Sequence, residues 1–238
     1  MKYQKKIYEG KAKIIFLGPK KNTLIQFFKD DATAFNAKKI QVLKGKGEIN
    51  NLISEYLMGI LSNNQIPTHF IRKISKREQL IHECRIIPLE VVIRNKAAGS
   101  LCKRLGIKEG LIFEEPIIEF YYKNDQLNDP IVNKNHIIAF GWSNFEELNE
   151  INKISIKVNN ILKKEFEDVS ISLIDFKLEF GRKFSDNSIV VADEISPDSC
   201  RLSDINSKEK FDKDIFRYDK GDLVEAYKNL SIRLGIIK

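Results

Sequence analysis

Cysteine and histidine are scarce in this chain of 238 residues, which contains three of each. Cys84, Cys102 and Cys200 lie far apart and have no C-x-x-C spacing, which favours reduced thiols in a cytosolic protein over a disulfide framework. The histidines have no metal-ligand spacing either, and each is more typical of a packed or exposed side chain: His69, His82 and His136. This scarcity argues against a zinc site and against a disulfide-stabilised secreted domain.

The sequence also lacks a long apolar run. No stretch approaches the roughly 18 residues that a membrane-spanning helix needs. The basic segment from Met1 to Lys6 is not followed by an apolar region, so we expect no signal peptide. Internal repeats, low-complexity tracts and proline-rich linkers are absent as well. These absences predict a cytoplasmic protein without a membrane partner.

What the chain does have is a hydrophobic content of 42%, enough for one large domain or two lobes around a cleft, and a net charge of +7. Positive charge can indicate nucleic-acid binding, but these lysines are spread along the chain with acidic residues between them. Exposed aromatic pairs interleaved with basic residues, which RNA-binding modules use, are not evident. We therefore expect anionic small molecules, and no nucleic acid, as partners.

The most informative stretch covers residues 173 to 201. In its first part three charged residues alternate with apolar ones, which is the period of a half-buried strand: Asp175, Lys177 and Glu179. Turn-forming residues and the β-branched run after them predict an antiparallel hairpin centred on Asp186. That register places Glu179 directly opposite Asp193, whereas a slip of one residue would aim Glu194 at the charged face.

Two carboxylates that face each other across strands repel unless a cation lies between them. Oxygen ligands without a nearby histidine or cysteine favour Mg²⁺, which usually shares its coordination shell with substrate phosphates. The pair Glu179 and Asp193 therefore predicts a metal site next to a nucleotide. The alternative is an ordinary hairpin whose charged face is solvated.

The N-terminal region predicts a small antiparallel sheet with strands from Lys6 to Gly10, Lys13 to Leu17 and Thr23 to Phe28. The turn between the first two strands contains one glycine and two lysines: Gly10, Lys11 and Lys13. Such a turn can lay backbone N–H groups and ammonium groups over phosphates. Because it has a single glycine, a plain hairpin turn with surface lysines is the alternative.

Further elements complete an N-terminal lobe that ends near Pro88. The region from Asp30 to Gly47 is loop-like, either a mobile substrate loop or a solvated connection. Apolar residues at helical spacing predict a helix from Asn50 to Leu61. Two more strands are predicted: Pro67 to Ile74 and Gln79 to Ile87.

A second candidate site follows a predicted strand from Leu89 to Arg94. Gly99 and Ser100 turn the chain into a short helix that is closed by Gly106. A helix that begins there points N–H groups and the positive end of its dipole outward, so an anion can bind with Arg94 as a fork. A capped helix beside a surface arginine is the alternative.

In the C-terminal part, Ser143 and Glu146 have the spacing of a capping box, which predicts a long helix after them. Apolar residues at helical spacing form its predicted buried side: Phe145, Leu148, Ile151, Ile154, Val158, Ile161, Leu162 and Phe166. Two more helices are predicted, one from Phe211 to Phe216 and one from Leu223 to Leu234 that is capped by Asp222.

Two long segments resemble the signatures of a known family. They are I-I-P-L-E-V-V-I-R-N-K-A-A-G-S at residues 86–100 and L-I-D-F-K-L-E-F-G at residues 173–181. Both are similar to those of phosphoribosylaminoimidazole-succinocarboxamide synthase, the SAICAR synthetase of purine biosynthesis. Shorter segments resemble the same family: Y-E-G-K-A-K, the Asp129-Pro130 step, A-D-E-I-S-P-D-S-C-R-L, D-K-D-x-F-R and R-L-G. The similarity covers essentially the whole chain.

The resemblance implies an ATP-dependent ligase that joins carboxyaminoimidazole ribotide (CAIR) to L-aspartate and releases ADP and phosphate, with Mg²⁺ as a cofactor. It implies an α+β fold with two lobes and ATP in the cleft between them. Residues 1–88 would form an N-terminal antiparallel β-sheet lobe, and residues 89–238 an ATP-grasp-like C-terminal lobe. Bacterial members of the family are commonly dimers, so a homodimer is expected.

Carried over by motif, the resemblance assigns the catalytic and nucleotide-binding residues. Glu179 and Asp193 would hold Mg²⁺, and Lys177 would reach the phosphate or carboxylate where negative charge develops. The residues assigned to ATP are the N-terminal turn and one later lysine: Gly10, Lys11, Ala12, Lys13 and Lys123.

The resemblance also assigns the substrate-binding residues. Arg94, Ser100 and Arg201 would bind the ribotide phosphate, and Asp175 and Asp198 its ribose or base. Arg217 and the loop from Asp31 to Lys38 are assigned to L-aspartate, whose two carboxylates require basic partners.

The chain departs from the family at two positions. Members often have Asp where this chain has Asn36, which puts a substrate contact there in doubt. They often have Trp where it has Ser203, a change that alters local packing.

Two other functions fit parts of the sequence. A small-molecule kinase of similar bilobal build would use the same lysines and Asp193 to phosphorylate a hydroxyl group, without an amine-binding site. A basic RNA-binding module would bind unrelated RNA tightly and with a strong salt dependence.

Overall fold

The computed structural model describes residues 5–34 and 38–237. In chain order the strands are β1 (Lys6–Glu9), β2 (Lys13–Leu17), β3 (Thr23–Phe28), β4 (Asp31–Ala34), β5 (Lys39–Val42), β6 (Phe70–Ser75), β7 (Glu78–His82), β8 (Cys84–Lys96), β9 (Ile112–Tyr122), β10 (Ile131–Val132), β11 (Ile171–Lys183), β12 (Ile189–Ala192) and β13 (Cys200–Asp204). The α-helices are α1 (Lys46–Asn63), α2 (Ser100–Leu105), α3 (Lys134–Ala139), α4 (Phe145–Glu167), α5 (Asp214–Arg217) and α6 (Leu223–Arg233). None of the described helices is long and apolar enough to cross a membrane.

The strands form three antiparallel sheets. Five strands make an N-terminal sheet in the order β1-β2-β3-β7-β6, and β4 pairs with β5 in a separate hairpin. The third sheet has the order β10-β9-β8-β11-β12, and β13 pairs with the other end of β11. The predicted α+β class is therefore confirmed, and so are the first three predicted strands.

The six-stranded sheet separates the main hydrophobic core from a polar cleft. In β11 the side chains of Phe176, Leu178 and Phe180 are each 1% exposed and pack in that core. Helices α1, α4 and α6 supply its other half. Asp175 and Glu179 alternate with these residues and therefore lie on the opposite face, which borders the cleft. The predicted division of this strand into an apolar and a charged face is confirmed.

The prediction of a loop from Asp30 to Gly47 is wrong. The segment contains β4 and β5, and α1 begins at Lys46 after Gly45, whose φ of 92° is left-handed. The strand β4 has the sequence D-A-T-A, and its Ala32 and Ala34 pack beside Ile215 and Phe216. Two small alanines give too little hydrophobic contrast for a period-two pattern to predict a strand.

The predicted strand from Gln79 to Ile87 is divided between β7 and β8, and β8 continues through Pro88 into the predicted strand from Leu89 to Arg94. Proline cannot donate a hydrogen bond to a neighbouring strand, so it is usually confined to edges and bulges. Here the pairing with β11 shifts between the Glu179–Glu90 and Gly181–Ile86 pairs. Pro88 lies within this irregularity, where its missing N–H is tolerated. The predicted lobe boundary between residues 88 and 89 falls inside this continuous strand.

The capping box of α4 lies one residue further along the chain than predicted. The side chain of Asn144 accepts a hydrogen bond from the Glu147 N–H at 2.9 Å, and Glu147 Oε2 accepts one from the Asn144 N–H at 3.2 Å. Ser143 instead donates its hydroxyl to Glu147 Oε2 at 2.8 Å. Phe145 is 58% exposed and does not belong to the buried side. Asn144 and Glu147 have the same spacing as the predicted pair Ser143 and Glu146, so spacing alone does not decide which pair forms the box.

The C-terminal helices agree in part with the prediction. Helix α6 is capped as expected, because Asp222 Oδ1 accepts hydrogen bonds from the Val224 and Glu225 N–H groups at 2.8 and 3.1 Å. Helix α5 is shorter and begins later than predicted. Phe211, the predicted first residue, precedes the helix and packs in the main core.

The cap of α4 gives a stability prediction. We expect Asn144→Ala to lower the free energy of unfolding by about 1 kcal/mol, because the Glu147 N–H loses its acceptor. The matched control is Asn160→Ala at an exposed position inside the same helix, where alanine should raise that free energy by roughly 0.5 kcal/mol through its helix propensity. Urea denaturation measures both values, and equal changes in the two variants would contradict the assignment of the cap.

Candidate active site

Two cavities adjoin on the polar side of the six-stranded sheet. Their volumes are about 500 and about 480 Å³. They share a wall whose residues come from distant parts of the chain: Lys11, Thr33, Glu90, Asp129, Lys177, Asp198, Ser199 and Lys213. The fold therefore brings the N-terminal turn, the middle of the six-stranded sheet and the segments around β13 to one place.

The first cavity is covered by the turn between β1 and β2. All five residues that the resemblance assigns to ATP line it: Gly10, Lys11, Ala12, Lys13 and Lys123. Lys11 Nζ lies 2.6 Å from Asp125 Oδ1, in the short 3₁₀ helix Asp125–Leu127. An ion pair between two lining residues of this cavity therefore joins the turn to the loop after β9.

The register of the β11–β12 hairpin differs by one residue from the prediction. Glu179 pairs with Ala192, so the prediction that it lies directly opposite Asp193 is wrong. The connecting turn contains Asn187 with a left-handed φ of 60°. Arg182 and Ile189 are the last paired residues of the ladder, and beyond them the Lys183 N–H donates to the Ser188 carbonyl at 3.0 Å. The backbone conformation of the turn, which the sequence did not specify, sets this register.

Glu179 does face another carboxylate across strands, and that residue is Glu90 on β8. The cation between them is Lys177, whose Nζ lies 2.8 Å from Glu90 Oε1 and 2.9 Å from Glu179 Oε1. Lys123 donates to the other oxygen of Glu179. Burial disfavours a charged lysine, but the carboxylates of Glu179, Glu90 and Asp193 outweigh it and raise the pKa of Lys177 well above its ordinary value.

Asp193 reaches the first cavity from the end of β12. Its φ of 60° is uncommon for a residue other than glycine. The Asp193 carbonyl accepts a hydrogen bond from Gln26 Nε2 at 3.3 Å and lies 3.0 Å from His69 Nε2. Burial lowers the pKa of His69 to about 4, so its ring is neutral at pH 7 and Nε2–H is the donor. Two buried side chains, Gln26 on β3 and His69 just before β6, thus hold this backbone conformation.

Lys13 pairs with both acidic residues at this point. Its Nζ contacts Asp193 Oδ1 and lies 2.8 Å from Glu194 Oε1. Burial opposes charge on Lys13, but these two carboxylates hold its pKa above the ordinary value. Burial also disfavours charge on Asp193, and Lys13, Lys177 and Lys123 together hold its pKa well below the ordinary value. Lys13 and Asp193 are therefore both ionised at neutral pH.

The first cavity has a surplus of carboxylates that suits a divalent cation. Four carboxylates lie around three ammonium groups: Glu90, Glu179, Asp193 and Glu194 around Lys13, Lys123 and Lys177. Glu194 Oε2 is buried and has no hydrogen-bond partner among the described residues. Within the same residues, no group of three or more His, Cys, Asp or Glu side chains forms a metal site by itself. A Mg²⁺ ion that takes one or two carboxylates and completes its shell with phosphate oxygens fits this donor set.

Two arginines converge on Asp175 in the second cavity. The pairing of β11 with β8 and β13 places Asp175 beside Arg94 on one strand and Arg201 on the other. Arg94 Nη1 and Arg201 Nη1 lie 2.6 and 2.8 Å from Asp175 Oδ2. Arg94 Nε also lies 2.6 Å from Glu119 Oε2. Since Arg94 is only 2% exposed, the alternative of a surface arginine is wrong.

The start of α2 lies at the same end of this cavity. Gly99 has a left-handed φ of 57°, and a Cβ there would lie 2.6 Å from Arg201 Nη2, so a larger residue would displace that arginine. Arg94 Nη2 donates to Ser100 Oγ and to Tyr121 Oη, both at 3.2 Å. The three residues assigned to the ribotide phosphate, Arg94, Ser100 and Arg201, are therefore neighbours.

Asp198 lies in the shared wall with both oxygens engaged. Its Oδ1 accepts a hydrogen bond from Tyr227 Oη at 2.8 Å, and its Oδ2 accepts one from Lys46 Nζ at 2.5 Å. Burial disfavours the charged form, but Lys46 and Lys213 hold the pKa of Asp198 well below its ordinary value. A direct contact between Asp198 and the ribose or base stays a prediction.

Some of the residues assigned to L-aspartate line the second cavity. Arg217 lines it, and its Nη1 lies 2.5 Å from Asp214 Oδ1. Of the predicted loop, Thr33 borders both cavities and Ala34 borders the second. Asn36 lies outside the described residues, so its predicted role stays open.

Sequence reasoning missed Glu90, Lys213 and Tyr121. Glu90 and Arg94 lie on the same face of β8 by the period of two, and this spacing could have indicated Glu90. Its pairing with Glu179, however, depends on a contact between strands that are far apart in the sequence. Lys213 lies inside the D-K-D-x-F-R segment, of which the resemblance assigned a role only to Arg217. Tyr121 lies in the aromatic strand β9, where nothing in the pattern marks its hydroxyl as a partner of Arg94.

The chain is similar to known proteins over nearly its whole length. Residues 6–234 match the family described as SAICAR synthetase. The chain is 59% identical over its full length to phosphoribosylaminoimidazole-succinocarboxamide synthase A of Bradyrhizobium diazoefficiens, and this match covers 94% of that protein. A synthase of the same name from Rhizobium meliloti is also 59% identical, with the same coverage of both chains.

Solved structures show the same fold. Phosphoribosylaminoimidazole-succinocarboxamide synthase from Ehrlichia chaffeensis has a TM-score of 0.96 and 50% identity, and the match covers 98% of this chain and 100% of that one. A SAICAR synthetase solved in complex with ADP has a TM-score of 0.93 and 47% identity, with 97% and 98% coverage. With matches of this extent in sequence and in structure, the chain belongs to the SAICAR synthetase family.

Proposed function

We propose that this protein is an ATP-dependent ligase that joins CAIR to L-aspartate and forms SAICAR, ADP and phosphate in purine biosynthesis. Membership of the SAICAR synthetase family supports this reaction. The structural observation that carries the proposal is the wall that the two cavities share, which contains Lys177. An enzyme that moves a phosphoryl group from a nucleotide to a second substrate needs two adjoining sites with cationic groups between them.

The first cavity suits the nucleotide. A family member that is 47% identical was solved with ADP, which supports nucleotide binding in this family. In the proposal the backbone from Gly10 to Lys13 covers the phosphates, and Lys11, Lys13 and Lys123 contribute ammonium groups. Lys13 and Lys123 already pair with carboxylates, so these charges are fixed in position before the nucleotide binds.

Glu179 and Asp193 are the proposed ligands of Mg²⁺ in the complex with ATP. When bound, the ion would neutralise phosphate charge and polarise the γ-phosphoryl group. The surplus of carboxylates in this cavity supports the assignment. Against the effect of burial, Lys177 and Lys123 lower the pKa of Glu179, and together with Lys13 they lower the pKa of Asp193, so both acids are ionised as a hard metal ion requires.

The proposed reaction proceeds through an acyl phosphate because a carboxylate is a poor electrophile. An oxygen of the CAIR carboxylate attacks the γ-phosphorus of ATP, and ADP leaves. The amine of L-aspartate then attacks the acyl carbon, and inorganic phosphate leaves with the oxygen that came from CAIR. Lys177 stays protonated, since its pKa is raised, and can stabilise the negative charge at the transferred group.

The second cavity suits the ribotide. Arg94, Ser100 and Arg201 are the proposed partners of its phosphate, and Asp175 and Asp198 those of its ribose or base. The carboxylate of Asp175 already neutralises part of the positive charge of both arginines. A guanidinium group has five N–H donors, so each arginine can keep Asp175 as a partner and still donate to a phosphate.

The proposed site for L-aspartate lies near Arg217 and the segment from Asp31 to Lys38. Thr33 of this segment borders both cavities, which supports its place beside the reacting groups. The aspartate amine must reach the acyl carbon, so its site has to adjoin the shared wall.

Omission of each substrate in turn tests the proposed function. We expect rapid ADP release only when ATP, CAIR and L-aspartate are all present, because each turnover consumes all three. With ¹⁸O in the CAIR carboxylate, one labelled oxygen should be found in the released phosphate. Full-rate ADP release from ATP and CAIR without any effect of L-aspartate would support a kinase and contradict the ligase.

Substitution of the proposed metal ligands tests their role. Glu179→Gln and Asp193→Asn should each lower kcat by at least about tenfold, and the Mg²⁺ concentration at half-maximal rate should rise, because a ligand of the ion is lost. The matched control is Glu150→Gln, an exposed carboxylate on α4, which should leave both values unchanged. Near-normal kcat in both site variants would show that the metal assignment is wrong.

A further inference from the structure

Lys213 lies farther from its nearest carboxylate than the neighbouring cations of the site do. Its side chain is 13% exposed, and among the described residues its ion-pair partner is Asp198, with 4.0 Å between Nζ and Oδ2. The same oxygen lies 2.5 Å from Lys46 Nζ, and Tyr227 occupies the other oxygen. Asp198 is therefore already neutralised by Lys46, and Lys213 is a surplus positive charge in a largely buried position.

The neighbouring cations have closer partners. Lys177 lies within 3 Å of Glu90 and of Glu179. Arg201 Nη1 lies 2.8 Å from Asp175, and Arg217 Nη1 lies 2.5 Å from Asp214. Of these four cations, Lys213 is therefore the one whose charge a bound anion would stabilise most.

The surroundings of Lys213 act against its charge. Burial is the largest influence that lowers its pKa, and the nearby charges of Lys46 and Arg217 act in the same direction, while Asp198 and Glu194 oppose them. An ammonium group in such a position is stabilised more by a bound anion than one that already has a close counter-ion.

The position of Lys213 limits which anion this can be. It borders both cavities and immediately precedes α5, whereas the turn that covers the first cavity connects β1 and β2. The nucleotide phosphates have the lysines of that turn beside them, and the second cavity has the paired arginines Arg94 and Arg201 for a phosphate. The anionic groups of the substrates that are left are carboxylates.

We propose that Lys213 binds a substrate carboxylate where the two cavities meet, either that of the ribotide or one of the amino acid. This inference rests on the proposed ligase function and adds a substrate-binding residue to it. Charge-assisted hydrogen bonds of this kind contribute enough binding free energy for their loss to weaken binding by about 10- to 100-fold.

The test compares Lys213→Met with the wild-type protein in steady-state assays that vary ATP, CAIR and L-aspartate separately. We expect the KM for CAIR, for L-aspartate or for both to rise at least about tenfold, and the substrate affected identifies the carboxylate. The Kd for ADP, measured by titration calorimetry, should change less than twofold and shows that the variant is folded. The matched control is Lys220→Met, an exposed lysine that borders neither cavity, which should leave all four values unchanged.

The outcomes separate this inference from the proposed function. If the wild-type protein forms no SAICAR, the proposed function is wrong. If it does, and Lys213→Met leaves the KM values for CAIR and L-aspartate unchanged or affects only ATP and ADP, the role of Lys213 is wrong. Should Lys213→Met fail to bind ADP, Lys213→Gln keeps a polar head without the charge, and the same results support or overturn the proposal.

Discussion

The carboxylates of Glu90 and Glu179 face each other across neighbouring strands, and the Lys177 ammonium lies within 3 Å of both. Glu179 is buried, and the other two are partly buried, so loss of any one would leave a poorly solvated charge without its partner. Lys123 and Asp193 join the same group from the end of β9 and the end of β12. The arrangement of the first cavity therefore depends on the ion pairs that Lys177 makes with Glu90 and Glu179 at the centre of the six-stranded sheet.

The two cavities differ in the sign of their surplus charge, and this divides their chemistry. Around the first, carboxylates outnumber the ammonium groups, which favours an added cation beside the nucleotide phosphates. In the second, Arg94 and Arg201 share Asp175. Lys213, which borders both cavities, is in excess because Lys46 neutralises Asp198. Anionic substrates fit there. A phosphoryl group that moves from one cavity to the other would pass Lys177 in the wall between them.

Local periodicity was enough to predict the charged face of β11, the apolar side of α4 and the first three strands, because these depend on neighbours in the sequence. Arg94, Ser100 and Arg201, which the resemblance assigns to one site, are neighbours in the structure. Sequence patterns did not predict the features that are set by contacts between residues far apart in the chain. The carboxylate that faces Glu179 across strands belongs to Glu90, which is 89 positions away in the sequence. The strand β4 packs against α5 through two small alanines. The burial of Lys46 likewise depends on Asp198, which lies far along the chain.

The central claim is that the Lys177 ammonium is held charged by the two carboxylates it joins. Its most direct test is an NMR-monitored pH titration of the ligand-free protein with ¹⁵N-labelled lysine side chains, in which Lys177→Arg identifies the signal. Lys177 should titrate above the ordinary lysine pKa of about 10.4, and Glu90→Gln should shift its titration downward because one carboxylate partner is lost. A Lys177 signal that titrates at or below the ordinary value, or that does not respond to Glu90→Gln, would contradict the account.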